Sequence, residues 1–181
     1  FVGGYHNSLV RTANGEYKVW GGGLANNGTG NLLVPTTIDA TNFPALTGII
    51  LKAGIGTLGS GAAAQQGIVL TTTGLFAWGS EGRVIDATIT PSTAVQKITI
   101  NTQPAGLPAG VDPRGVKMMF TTNQTLAITT CSGDVYVLTM IAVNGGVGAT
   151  ASSTVWHRVT EATAGNPFLT NVVAVRGQQG T

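Results

Sequence analysis

Short apolar runs alternate with stretches rich in glycine, threonine and asparagine along the whole chain. No window keeps the apolar spacing of a helix over about ten residues, so the pattern predicts strands and turns with very little helix. One arrangement returns: an apolar run, a glycine turn and a second apolar run. It first appears as Ser8 to Gly15 followed by Glu16-Tyr17-Lys18-Val19-Trp20-Gly21. It recurs as Gly67 to Gly74 with Leu75-Phe76-Ala77-Trp78-Gly79, and as Leu126 to Gly133 with Asp134-Val135-Tyr136-Val137-Leu138. The turn glycines Gly15, Gly74 and Gly133 are 59 residues apart at both steps, and Thr12, Thr71 and Thr130 keep the same interval. Each copy reads as a β-hairpin whose turn needs a positive φ, which glycine supplies without steric cost.

Further strands are predicted between the hairpins at Thr36 to Asp39, Gly48 to Ala53, Ala94 to Ile100, Val116 to Phe120, Val155 to Val159 and Asn171 to Arg176. Each is short, rich in Val, Ile or Thr, and bounded by Gly, Pro or Asn. The expected fold class is all-β: a partial β-propeller of about three blades, each of four short antiparallel strands. The chain forms one repeat domain over 1–181, with units close to 1–59, 60–118 and 119–177 and the remainder starting the next blade.

The residues Gly3-Gly4, His6, Ser8-Leu9, Asn14-Gly15, Tyr17 and Trp20-Gly21 resemble the repeat of the regulator-of-chromosome-condensation family. That repeat runs glycine-glycine, histidine, serine-leucine, aspartate-glycine, tyrosine, tryptophan-glycine. The likeness is strongest in residues 2–21. The second copy keeps Thr71, Gly74, Phe76, Trp78 and Gly79 with one residue fewer between Gly74 and Trp78, and the third keeps chiefly Gly133, Val135 and Tyr136. The resemblance implies a seven-bladed propeller, which three copies are too few to close. The remaining blades are expected from the same longer chain or from other subunits, and the lack of an initial methionine with a whole number of repeats favours the longer chain. It also implies a packing role for His6.

Composition narrows the function classes. Charged residues make up 9% of the 181, and 27 glycines stand among many neutral polar residues. Nine basic and seven acidic side chains give a net charge of +2 without a run of either sign, so no basic stripe offers itself to a nucleic-acid backbone. No apolar stretch reaches the length of a membrane span. Cys131 is the sole cysteine, which excludes an intramolecular disulfide, and no His or basic residue adjoins it to favour the thiolate.

Candidate chemistry is sparse. Gly54-Ile55-Gly56-Thr57-Leu58-Gly59 matches a dinucleotide-binding pattern, with Glu81 downstream, yet the second hairpin follows too closely for the helix such a site requires. The loop Gly21 to Gly30 lacks the Lys-Ser/Thr ending of a phosphate loop. His6 and His157 stand without neighbouring ligands at metal spacing. Asn27-Gly28-Thr29 and Asn123-Gln124-Thr125 are glycosylation sequons. Trp20, Trp78 and Trp156 suggest a sugar-stacking platform, but two of them end equivalent strands, which points to packing.

The sequence therefore names no catalytic, cofactor or metal residue and leaves the binding residues open. The expectation is a non-enzymatic binding or adhesion module of a larger secreted or cell-surface protein, bacterial by its composition, with a protein or glycan partner. The alternatives are a structural fibre or virion component and, by resemblance to the family's eukaryotic archetype, a guanine-nucleotide exchange factor.

Overall fold

The computed structural model describes residues 2–3, 6–25, 30–57, 65–79, 93–99, 103–122, 125–139, 152–161 and 167–176. Among the described residues twelve strands fall into three four-stranded antiparallel sheets, each a meander in which every strand pairs with the next in sequence. Blade one holds β1 (Val2–Gly3), β2 (Asn7–Arg11), β3 (Tyr17–Gly21) and β4 (Leu32–Thr37). Blade two holds β5 (Ile50–Thr57), β6 (Gln65–Thr71), β7 (Gly74–Gly79) and β8 (Thr93–Lys97). Blade three holds β9 (Val116–Thr122), β10 (Thr125–Thr130), β11 (Val135–Thr139) and β12 (Ser152–Arg158). Among the described residues there is no α-helix; a single 3-10 turn, Pro113–Gly115, leads into β9. This is the partial three-blade propeller expected of the repeat.

The predicted hairpins form as β2–β3, β6–β7 and β10–β11, and their turn glycines have φ of +89°, +131° and +84°. The repeated threonine explains itself here. Thr12 Oγ1 accepts from Glu16 N at 3.1 Å and Thr130 Oγ1 from Asp134 N at 3.0 Å. In the middle copy Thr71 Oγ1 accepts from Thr73 N at 3.1 Å. Each hydroxyl thus satisfies a turn amide that the strand ladder leaves over.

The one-residue deletion in the second copy also has a structural reason. In blades one and three Gly15 N and Gly133 N bond back to Thr12 O and Thr130 O, and a further residue, Glu16 or Asp134, precedes the second strand. In blade two Thr71 pairs directly with Gly74, leaving the two-residue loop Thr72-Thr73. The missing residue is the bulge position.

One predicted strand is corrected. Asn171 to Arg176 joins no sheet among the described residues; Val172 N instead donates to Gly133 O at 3.0 Å, laying this segment against the turn of the third hairpin. Its Val content favours an extended chain, and strand formation additionally needs a neighbour to pair with.

The first strands lie side by side as the inner strands of a propeller: β5 packs against β9 on one side and against β1 and β2 on the other. Two apolar layers fill the space between sheets. Leu9, Val19, Ile38 and Phe43 of blade one meet Val69, Phe76, Trp78 and Val95 of blade two. Ile68, Leu70 and Leu75 of blade two meet Val116, Leu126, Ile128 and Leu138 of blade three. Because side chains alternate along a strand, blade two divides β6 and β7 between the two layers, and every residue of both strands is buried. Each large apolar side chain taken from water into such a layer contributes on the order of 1.5–3 kcal/mol.

Candidate functional site: the leading face of blade one

A blade has a leading face, toward the blade before it in sequence, and a trailing face, toward the blade after. On blade two the leading face is Gln65, Gly67, Val69, Phe76 and Trp78. It is sealed against blade one, with Gln65 and Val69 at 0% exposure and Phe76 and Trp78 at 1%. Three kinds of contact make the joint. The apolar layer is the first. Trp78 is the second: its ring lies 4.8 Å from that of Phe43, centroid to centroid, and its Nε1 donates to Leu24 O at 2.8 Å. The third is a polar clip in which Asn7 Nδ2 of blade one donates to Gln65 Oε1 at 2.5 Å. That pair is buried and bridges the two sheets, while Asn7 Oδ1 is left without a hydrogen-bond partner.

The register carries these positions onto blade one as His6, Ser8, Val10, Lys18 and Trp20. Val19 pairs with Leu9 and points into the layer shared with blade two, so its neighbours Lys18 and Trp20 point the other way. His6 is exposed, and Ser8, Val10, Lys18 and Trp20 are half-buried. Lys18, at the position of Phe76, is held by its own blade: Nζ donates to Thr37 Oγ1 at 3.1 Å and stands 4.0 Å from Glu16 Oε2. Tyr17 faces the other way, toward blade two, where burial raises its hydroxyl pKa against the opposing charge of Arg11.

The residues singled out in the sequence do not converge on one site. Gly54 and Gly56 lie within strand β5, and a Cβ on Gly54 would come within 2.9 Å of Thr121 Oγ1. That glycine lets the inner strands of blades two and three approach, and Thr121 Oγ1 donates to Ile55 O at 2.5 Å across the gap. The rest of the dinucleotide-like pattern, Leu58, Gly59 and Glu81, lies outside the described residues, as do Asn26 to Thr29 and Asn123-Gln124. Cys131 is exposed in the turn of the third hairpin. His157, on β12, is half-buried with its Nε2 shielded from water and unpartnered. No group of three or more His, Cys, Asp or Glu side chains comes together among the described residues.

The tryptophans are likewise dispersed. Trp78 lies between blades one and two, while Trp156 packs on the layer between blades two and three and donates from Nε1 to Gly106 O at 2.8 Å. Trp20 alone of the three stands on the leading face of blade one. Trp78 and Trp156 therefore serve sheet packing, and the three indoles do not come together as a shared sugar platform. What the sequence reading missed is the leading face itself, although its signal was present in the step that carries His6 onto Gln65 and Asn7 onto Gln66.

No family model matches the sequence, and no curated relative does. Solved structures do match. Human WBSCR16 superposes with a TM-score of 0.52 at 17% identity, over 84% of this chain and 35% of that one. Prp20p from Saccharomyces cerevisiae superposes with a TM-score of 0.52 at 13% identity, over 87% and 37%. Yeast RCC1 (Prp20) bound to Kap60 gives 0.52 at 12% identity, over 87% and 36%. The chain thus spans little more than a third of the length of these neighbours. Among the described residues no helix is long and apolar enough to cross a membrane. With the repeat, the three meander sheets and these superpositions together, the chain folds as three blades of an RCC1-like β-propeller.

Proposed function

We propose that this chain is a non-enzymatic binding module for a protein partner, one segment of a larger secreted or cell-surface protein. The similarity to propellers that bind proteins carries the reading: Prp20p is described by its binding to Gsp1p and histones, and yeast RCC1 (Prp20) is bound to Kap60. The outer strand β4 supports it with an exposed apolar pair, Leu33 at 88% and Val34 at 67% exposure, beside the glycine-rich loop that leaves Trp20. Apolar side chains displayed together at a sheet edge favour contact with a partner, while Pro35 next to them discourages strand-to-strand aggregation. The cell-surface placement rests on the low charge and the Gly, Thr and Asn content.

The test is in-cell cross-linking of the native protein, followed by reconstitution with the purified cross-linked protein. Saturable binding is expected, weakened in a Leu33→Ser/Val34→Ser variant whose melting temperature is unchanged. A single substitution that abolished turnover of a substrate with the fold intact would sink the reading. Large homogeneous assemblies in light scattering would replace it with a fibre or virion role, and accelerated nucleotide release from a small GTPase with an exchange role.

A further inference from the structure

We infer that Asn14 in the first hairpin turn is a deamidation site gated by that turn: closed, the turn withholds the backbone nitrogen that attacks the side chain, and opened, it releases it. The inference stands apart from the binding reading and concerns a covalent modification of blade one.

Asn14 is exposed and is followed by Gly15, which has no side chain to hinder approach to the Asn14 carboxamide. Deamidation requires the Gly15 nitrogen to attack Asn14 Cγ. In the closed turn that N–H donates to Thr12 O at 3.0 Å. Thr12 holds the rest of the turn as well: its backbone N–H donates to Glu16 O at 2.8 Å, and its Oγ1 accepts from Glu16 N at 3.1 Å. The side chain under attack is held less firmly, since among the described residues Asn14 Nδ2 reaches only Glu16 Oε2, at 3.5 Å. The nucleophile is restrained and the electrophile is not, so local opening of the backbone sets the rate. Blades two and three carry Thr73 and Ser132 before their turn glycines, and neither side chain has a carboxamide to lose.

When the turn opens, a bond forms between Gly15 N and Asn14 Cγ, the side-chain nitrogen leaves as ammonia, and a succinimide ring joins the two residues. Water then opens the ring at either carbonyl, giving aspartate or an isoaspartate whose backbone runs through the former side chain. Water is the one co-reactant. Either product puts a carboxylate where Asn14 Nδ2 approaches Glu16, so that like charges replace an attractive contact, and the isoaspartate also lengthens the backbone inside the turn. The formal net charge of +2 drops by one unit. The hairpin does not close again as it was, and each modified chain keeps a lasting mark of having opened.

Peptide mapping by mass spectrometry, with fragmentation that separates aspartate from isoaspartate, tests this on the folded protein and on the same protein in urea, both kept in mildly alkaline buffer. The chain has three Asn-Gly steps, at Asn14, Asn27 and Asn144, so the unfolded sample supplies its own scale. In urea Asn14 is expected to react at the pace of Asn27 and Asn144, and in the folded protein at least roughly tenfold more slowly than in urea. Thr12→Val keeps the shape of the side chain and removes its bonds to Glu16. It is expected to recover a clear part of the unfolded rate at Asn14, at a temperature where circular dichroism shows the variant folded, whereas Thr12→Ser, which keeps the hydroxyl, should stay slow. An Asn14 that reacts as fast folded as unfolded overturns the gate, and one that stays intact in urea while the other two react overturns the site. A Thr12→Val rate equal to the parent's places the protection elsewhere and overturns the role of the Thr12 turn.

Discussion

Blades one and two present the same register positions on this face; the valine and the tryptophan are shared, Ser8 and Lys18 stand where blade two has Gly67 and Phe76, and the two faces differ above all in what lies against them. Trp20 and Trp78 each close the second strand of a hairpin, each beside a glycine, Gly21 or Gly79, whose φ is +121° or +130°. Both glycines are required for one reason: a Cβ would fall 2.3 Å from a carbonyl of the facing strand, His6 O or Gln65 O. The local backbone is thus one solution used twice, yet Trp78 is sealed and Trp20 is half-exposed. Strand register decides where a side chain points. Burial, and with it nearly all of the free energy, is decided by the neighbouring sheet.

The largest effect that separates the two faces is truncation of the indoles. Trp78→Ala removes a fully buried ring and its bond to Leu24 O, and is expected to destabilise the 181-residue chain by about 3–5 kcal/mol. Trp20→Ala removes a half-buried ring and is expected to cost about 1 kcal/mol or less. Urea unfolding of both variants measures the gap. Equal costs in the isolated chain would mean that Trp20 is already sealed, and the contrast between the faces would be gone.

A smaller effect tests what the tryptophan demands of its partner strand. Gly67 lies directly opposite Trp78, and a Cβ there would sit 2.5 Å from a ring carbon, so the ring occupies the space of the absent side chain. Blade three solves the same position with Leu126 opposite Leu138, both at 0% exposure. Gly67→Leu is therefore expected to overpack blade two and cost about 1–3 kcal/mol. Adding Trp78→Leu should recover part of that loss, because two leucines fill the layer in blade three. Thermal melts of the single and double variants check this, and a double variant no better than the sum of its parts would show that the two pairs are not interchangeable.

Much of this was legible in the sequence for a physical reason: a hairpin is a local object. Its turn glycines and the repeated threonine sit within a few residues of the strands they join, so their spacing exposed three blades. The deletion before Leu75 was visible too, although only the paired Thr71 and Gly74 show it to be a lost bulge. The joints between blades were less legible. Asn7 and Gln65 are 58 residues apart, and Gly54 meets Thr121 across two sheets. Gly54 and Gly56 imitated a cofactor motif because close strand approach and close phosphate approach ask for the same residue. Asn171 to Arg176 misled for a related reason, since β propensity reports a tolerance for extended backbone and says nothing of a partner.

The smallest expected effect distinguishes the turns that begin these strands. Glu16 in blade one and Asp134 in blade three hold the same place after the turn glycine, but the Glu16 carboxylate has only long contacts, 3.5 Å from Asn14 Nδ2 and 4.0 Å from Lys18 Nζ, whereas Asp134 has closer partners. Ser132 Oγ donates to Asp134 Oδ2 at 2.7 Å, and Arg158, stacked over Phe168 at 4.4 Å, pairs with Oδ1. The Ser132 hydrogen bond above all, then the Arg158 charge, outweigh desolvation and hold the Asp134 carboxyl below its ordinary value of 3.8. A pKa lowered by folding stabilises the fold at any pH above the unfolded value, and that contribution is lost as pH falls through the folded one. Asp134→Asn should therefore destabilise the chain near neutral pH, and its difference from the parent should shrink as the solution is acidified below the ordinary value. Ser132→Ala should change stability in the same direction by less, and Glu16→Gln by less again, as an exposed pair contributes about 1 kcal/mol at most. Unfolding free energies of the three variants across this acid range decide the matter: a cost of Asp134→Asn that is the same at neutral and acidic pH would show that the turn of blade three is held by packing rather than by its carboxylate.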